Sequence, residues 1–153
     1  MDEAIVRTAT LKDLEILLTF EQGVIEAERP FDITLKTANI RYYDIEEMIT
    51  ASHIELAVAE LNNIVIASGY ARIEKSKLYL KHKEHAYLGF MYVDAKHRGK
   101  GINKKIIEFL EVWAHAHGIT EIRLDVYFHN KSALKAYQKI GFCEHMIEMR
   151  KHI

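Results

Sequence analysis

The sequence predicts an α/β fold built on a mixed sheet: an antiparallel meander, then a crossover helix joining two parallel strands. Three features carry that expectation. Short apolar runs with a period near two alternate with longer stripes at helical spacing. Two of the runs flank Leu61-Asn62-Asn63-Ile64, and an Asn-Asn pair tolerates the positive φ of a tight hairpin turn. A third run, Tyr87 to Val93, leads through Gly99-Lys100-Gly101 into a long helical stripe, the strand–loop–helix order of a crossover.

Ala4 to Ala9 reads as a first strand. Thr10 is placed to cap the helix that follows, with Asp13 supporting its first turn; Leu14, Leu17, Leu18, Val24 and Ile25 keep a stripe to about Arg29. Gly23 weakens that helix and Arg29-Pro30 ends it. A second helix is expected from about Ile40 to Ser52, on Ile45, Met48 and Ile49. His53 to Glu60 and Val65 to Lys75 form the hairpin, with Gly69 marking a bulge or a close approach. Ser76 to Glu84 is either a loop or an extension of that hairpin. Ile102, Ile106, Leu110 and Trp113 give the crossover helix one apolar face, and Gly118 ends it. Glu121 to Phe128 alternates as a strand. Asn130 or Ser132 then caps a short helix to Ile140, Gly141 stops it, and Phe142 to Arg150 reads as a final strand. The predicted order is β-α-α-β-β-β-α-β-α-β.

With 153 residues, 49% of them hydrophobic and 28% charged, the chain suits a single domain with a sizeable core. Its formal net charge of −1 gives no global basic field for nucleic acid. No apolar run approaches the roughly 20 residues of a membrane span. The opening MDEAIVR lacks the basic start and apolar core of a signal peptide. Cys143, the one cysteine, rules out an internal disulfide and fits a reducing compartment, so a cytoplasmic location is expected. Directly after the last helix, Cys143 is also expected to be packed. His115 and His117 stand two apart on a helix and cannot converge on one metal; His82 and His85 lack a Cys or carboxylate cluster to complete a zinc set. No metal site is expected.

Lys96, Arg98, Lys100, Lys104 and Lys105 crowd the glycine loop and the helix after it, with no carboxylate from Ala95 to Ile107. The first N–H groups of a helix lack internal partners, and its macrodipole is positive there. Two glycines let backbone approach a ligand with no Cβ in between. The stretch therefore predicts a bound phosphate or pyrophosphate. It is not a Walker loop, and Lys104 stands where the third glycine of GxGxxG would fall. A glycine-punctuated loop with solvated lysines is the alternative.

KHRGKG, Lys96 to Gly101, resembles the [QR]xxGx[GA] signature of the GCN5-related N-acetyltransferases (GNAT), with Lys96 in place of Gln or Arg. NKSALKAYQKIGF, Asn130 to Phe142, resembles the family's second signature. The resemblance covers most of Val6 to Met149 and is sharp from about Tyr87 onward. It implies a single N-acetyltransferase domain over residues 1–153, with the fourth and fifth strands splayed around acetyl-coenzyme A. It implies that Met91, Tyr92 and Val93 pair with the pantetheine arm. The loop from Lys96 through Arg98, Gly99, Lys100, Gly101, Ile102 and Asn103 is implied to hold the pyrophosphate, and Asn130 and Ser132 to contact the cofactor. Asn130 can cap its helix at the same time. Tyr137 matches the family's tyrosine, whose hydroxyl points at the cofactor sulfur; a core tyrosine is the alternative.

The activity so implied is that of an acyltransferase moving acetyl directly from the thioester to a primary amine of a small-molecule or protein acceptor. An amine with a pKa of about 10 arrives protonated and needs a base. Many relatives use a carboxylate on the fourth strand. That position here holds Tyr87, which leaves Glu84, His85, Asp94, Tyr87 itself or a water chain open. The missing carboxylate keeps a non-catalytic acyl-coenzyme A-binding domain in view, and the loop alone a nucleotide-phosphate-binding one. Between Glu21 and Thr50, Glu21, Glu26, Glu28, Asp32, Asp44, Glu46 and Glu47 outnumber Arg29, Lys36 and Arg41. An acidic lip favouring a cationic amine and two solvated helix faces both read that way. The resemblance leaves the oligomeric state open, a homodimer being common in proteins of this type; a nucleic-acid or membrane partner is not expected.

Overall fold

The structure is a computed structural model and describes residues 2–153. Five strands form one sheet in sequence order: β1 (Ile5–Thr8), β2 (Ile54–Leu61), β3 (Ile64–Lys75), β4 (Glu84–Val93) and β5 (Ile122–Arg123). β1 to β4 pair antiparallel in succession, and β5 runs parallel to β4. The helices are α1 (Leu14–Glu28), α2 (Ile45–Thr50), α3 (Ile102–Ala116) and α4 (Lys131–Ile140). The mixed α/β architecture expected from the sequence is therefore present, with α3 as the crossover between the parallel pair. No helix among the described residues is long and apolar enough to cross a membrane.

Alternation along the strands feeds two cores, one on each face of the sheet. On β2, Leu56 and Val58 pack with Leu17, Phe20 and Val24 of α1 and with Ile45 and Met48 of α2. Ala57 and Ala59, between them, face Ile106, Ile107 and Leu110 of α3. α4 joins that second side through Tyr137 and Ile140. The small alanines let the α3 face approach the sheet closely, while leucine and valine fill the space below α1.

β4 does not keep one alternation along its length. Leu88 faces α3, yet Phe90, two residues on, faces α1. The flip is a bulge. Tyr70 pairs with Gly89 and Ser68 with Tyr92, so Gly69 alone opposes Phe90 and Met91. Phe90 takes a φ of 53°, and the Ser68 hydroxyl donates to its carbonyl at 3.0 Å. Gly69 is required by close approach: a methyl there would fall 2.6 Å from Met91 Sδ and 2.7 Å from Ile106 Cγ2. The continuous apolar run in this strand is thus two half-strands with opposite phase rather than one uniform strand.

Local signals place most boundaries. Asp13 accepts the Thr10 N–H at 2.8 Å and also takes both terminal nitrogens of the Arg7 guanidinium. Asp44 accepts the Glu47 N–H at 3.1 Å and starts α2, which is shorter than expected and leaves Ile40 to Tyr43 as a connecting segment. Asn62 and Asn63 have φ of 51° and 63°, the turn their sequence predicts. α3 and α4 both close in the Schellman pattern: Ile119 N–H reaches Ala114 O at 3.0 Å, and Phe142 N–H reaches Tyr137 O at 3.1 Å.

Three expectations are corrected. The strand predicted over Glu121 to Phe128 pairs only at Ile122 and Arg123. The final strand predicted over Phe142 to Arg150 does not form, and residues 143–153 are exposed. Met146, Ile147 and Met149 place apolar groups on both faces of that segment, so no register is selected. Arg150 ties it instead to Asp32 and Thr34 between α1 and α2. Cys143, expected to be packed, is exposed because it follows the α4 cap into this unpaired segment.

Candidate active site

The parallel pairing of β4 with β5 is confined to Ala86 with Ile122 and Tyr87 with Arg123. Beyond these residues the two chains part, and the edge of β4 from Leu88 to Val93 is left without a strand partner. An edge of free N–H and C=O groups inside a fold is a place for an extended ligand to pair. The Tyr87 hydroxyl spans the start of the opening to Asp125 Oδ2 at 3.0 Å. Burial, and then the charge of Asp125, hold the Tyr87 proton well above the ordinary tyrosine range. Met91, Tyr92 and Val93 line this stretch. Tyr92 stacks on Phe20 at 4.5 Å, and Met91 and Val93 pack toward α3.

The basic loop closes one end of the opening. Asp94 accepts the Lys96 N–H at 3.0 Å, and Arg98 Nε returns to Val93 O at 3.0 Å, so the loop folds back on the end of β4. Gly99 and Gly101 have φ of 73° and 76°, where a side chain is strained. A Cβ built on either meets no atom within 4 Å, so the surface above the loop is open. The first i to i−4 bond of α3 is Lys105 N–H to Gly101 O at 3.2 Å. The N–H groups of Ile102, Asn103 and Lys104 therefore precede the helical ladder. Lys96, Arg98 and Lys100 are exposed around them. Lys105 is drawn away into an ion pair with Glu3.

The second signature meets the first here. Asn130 caps α4 by accepting the Ala133 N–H at 3.2 Å, and Ser132 is exposed on the first turn. One helical face later, Tyr137 packs edge-on against Phe142 with ring centres 5.8 Å apart. Burial raises the Tyr137 pKa, and the Asn103 side chain in the first turn of α3 acts in the opposite direction. Asn103 Oδ1 and His97 Nδ1 are buried polar atoms without a protein partner, both beside the open loop.

The other end of the opening is walled by aromatic residues and carboxylates. Phe31 stacks on Tyr127 at 6.0 Å, and the Tyr127 hydroxyl donates to Asp32 Oδ2 at 3.4 Å. The Tyr42 hydroxyl donates to Glu28 Oε2 at 2.8 Å. Tyr43 stacks on Phe90 at 4.7 Å. Glu21, 0% exposed, accepts from Arg41 Nε at 2.7 Å and from the Tyr42 N–H at 3.2 Å, which fixes this segment to α1. Burial lifts the Glu28 carboxyl above the ordinary carboxylate range; Tyr42 opposes the lift and Asp32 adds to it.

The base candidates named from the sequence fare differently. Glu84 and His85 precede the paired residues and lie on the closed side of the fork. His85 is buried there against the Ser76 hydroxyl at 2.8 Å. Asp94 is engaged as a cap and Tyr87 is bonded to Asp125. Glu28, Tyr42, Tyr127 and Asp125 at the opening were not singled out by sequence. The one trace was the carboxylate excess between Glu21 and Thr50, in which Glu28 was counted; Tyr42 and Tyr127 join it only once that segment is folded against residue 127.

The Acetyltransferase (GNAT) family matches residues 21–142 of this chain. A protein described as an uncharacterized N-acetyltransferase, YycN, from Bacillus subtilis is 37% identical over 57 residues. That match covers 37% of this chain and 36% of the relative. Among solved structures, a mutant of the BH1408 protein from Bacillus halodurans superposes with a TM-score of 0.86 at 22% identity, covering 97% of this chain and 99% of that one. The aminoglycoside N-acetyltransferase AAC(6')-Iy in complex with CoA gives 0.74 at 20% identity, over 97% and 100% of the two chains. At such identities these structures speak for the fold. A family match over well more than half of the chain, on a mixed sheet forked between parallel strands, makes this protein a member of the Acetyltransferase (GNAT) family.

Proposed function

We propose that the protein transfers the acetyl group of acetyl-coenzyme A directly to a primary amine. The observation that carries this reading is the juxtaposition of an unpaired strand edge, three unbonded helix N–H groups and Tyr137 along one opening. A pantetheine arm is amide-bearing and extended, and suits the free edge at Met91 to Val93. A pyrophosphate suits the open loop over Gly99, Lys100 and Gly101 with the N–H groups of Ile102 and Asn103, where Lys96 and Arg98 add charge. Asn130, with its amide nitrogen uncommitted, and Ser132 stand at the start of α4 for the cofactor arm. The coenzyme A in the complex of the similarly folded aminoglycoside enzyme supports the choice of ligand. The protein is read as one domain acting in the cytoplasm, in keeping with its single free cysteine.

The residues then divide the work. The amine nitrogen attacks the thioester carbonyl carbon; a C–N bond forms and the C–S bond breaks. Main-chain N–H groups at the β4 bulge are available to the carbonyl oxygen as it gains charge. Tyr137 supplies a proton to the departing thiolate, whose free pKa of about 8.5 makes protonation favourable at neutral pH.

The direct test is ligand-dependent melting. Coenzyme A at about 100 times its dissociation constant stabilises a binder by about 2.7 kcal/mol. A rise in Tm with coenzyme A but not with ATP or NAD is expected. A rise with ATP and none with coenzyme A sinks the reading.

A further inference from the structure

We propose that Glu28, at the C-terminal end of α1, is the base that takes the proton from the acceptor ammonium, and that the acceptor is a primary alkylamine seated between Tyr42, Phe31 and Tyr127. The inference rests on the acetyl-transfer reading above and names the acceptor end of the same opening.

Contacts on two sides fix where Glu28 stands. Its Oε2 accepts from the Tyr42 hydroxyl at 2.8 Å. Just past it, Phe31 stacks on Tyr127 at 6.0 Å and Asp32 accepts from the Tyr127 hydroxyl at 3.4 Å, so this end of α1 meets the segment that departs from β5. Glu28 is half-buried at that junction, on the acceptor end of the opening. Among the described residues no cation claims it. Its neighbour Arg29 turns to Glu26 Oε1 at 2.8 Å and to Lys36 O at 2.8 Å. Arg150 pairs with Asp32. Glu28 Oε1 carries no hydrogen bond among the described residues. Aromatic faces beside a free carboxylate oxygen suit an ammonium on an apolar stem.

The chemistry balances. The alkylammonium gives one proton to Glu28 Oε1, and the freed nitrogen pair forms the C–N bond as C–S breaks. The thiolate takes the Tyr137 proton, the acylated nitrogen gives its second proton to water, which reprotonates Tyr137, and Glu28 releases the first proton to solvent. Titratable and charged groups facing Glu28 are Tyr42 and Tyr43 before α2, Asp32 with its partner Arg150, Tyr127, and Tyr137. Burial and Asp32 hold the base above the ordinary carboxylate range while Tyr42 holds it down. The acid limb of kcat/KM therefore lies above that range.

Glu28→Gln and Tyr42→Phe, assayed with n-butylamine, tyramine and hydroxylamine, decide the matter. Hydroxylamine is unprotonated at neutral pH and needs no base. Glu28→Gln should lower the alkylamine kcat/KM about 100-fold at pH 7. It should erase the acid limb, keep the hydroxylamine rate, and keep the Tm rise with coenzyme A. The alkylamine loss should narrow as pH nears the amine pKa of about 10. Tyr42→Phe removes a donor to the carboxylate and should move the acid limb to higher pH. Unchanged alkylamine rates in Glu28→Gln, or equal loss of both nucleophiles with coenzyme A still bound, overturn the assignment. So does hydroxylamine turnover by the wild type with no alkylamine turnover, or coenzyme A binding with no turnover of either. A wild type whose Tm ignores coenzyme A takes down the acetyl-transfer reading, and Glu28 with it.

Discussion

Tyr137 shows how a single hydroxyl is tuned by two neighbours that oppose each other. Burial favours the neutral phenol, which is the form able to give a proton; the Asn103 side chain acts in the opposite direction. Tyr137→Phe removes one oxygen from a packed ring, so kcat should fall roughly 100-fold while coenzyme A affinity stays within a few-fold. Steady-state kinetics beside a titration of coenzyme A checks both halves. Tyr137 and the loop glycines were legible because each sits in a short linear pattern. The influence of Asn103 on Tyr137 was not, since it joins two helices through tertiary packing that no local spacing encodes. Glu28 was counted only as part of an acidic stretch for the same reason. Tyr127, which meets the same helix end through Phe31 and Asp32, is about a hundred residues away along the chain.

At the scale of elements, the segment between α1 and α2 hangs on one buried carboxylate. Glu21 takes Arg41 and the Tyr42 N–H together, and its Oε2 has no partner. Arg41→Ala leaves that buried charge with one N–H donor, which should cost about 3 kcal/mol in urea unfolding. Because Tyr42 rides on the same anchor, the amine KM should also rise while coenzyme A binding holds. Parallel loss of both substrates would mean that the segment serves the whole cleft. The elements themselves were largely readable: the Thr10–Asp13 start, the Asn-Asn turn, the glycine stops and the α3 stripe fall where sequence places them, whereas the Asp44 cap starts α2 later than its apolar stripe implied. The bulge in β4 was readable only at Gly69, from the partner strand. A run apolar at every position hides a phase change, because both phases look alike. The final strand failed for the reverse reason, since mixed polar and apolar positions fit no single face.

The whole molecule is a four-strand antiparallel body to which residues 122–153 are attached by a two-residue ladder, side-chain contacts of Asp125, Tyr127 and Arg150, and the packing of α4. Few main-chain bonds cross that line, so its opening is governed by local stability rather than by global unfolding. Amides in residues 124–142 should exchange faster than those of β2 and β3, and coenzyme A should slow them preferentially. Exchange that coenzyme A slows evenly over the chain, or not at all in this region, counts against the attachment being loose. A sheet stitched this lightly along one seam would make a thioester bound there a working part of its own architecture. Each departure of product would then slacken the seam and each new thioester would draw it tight again.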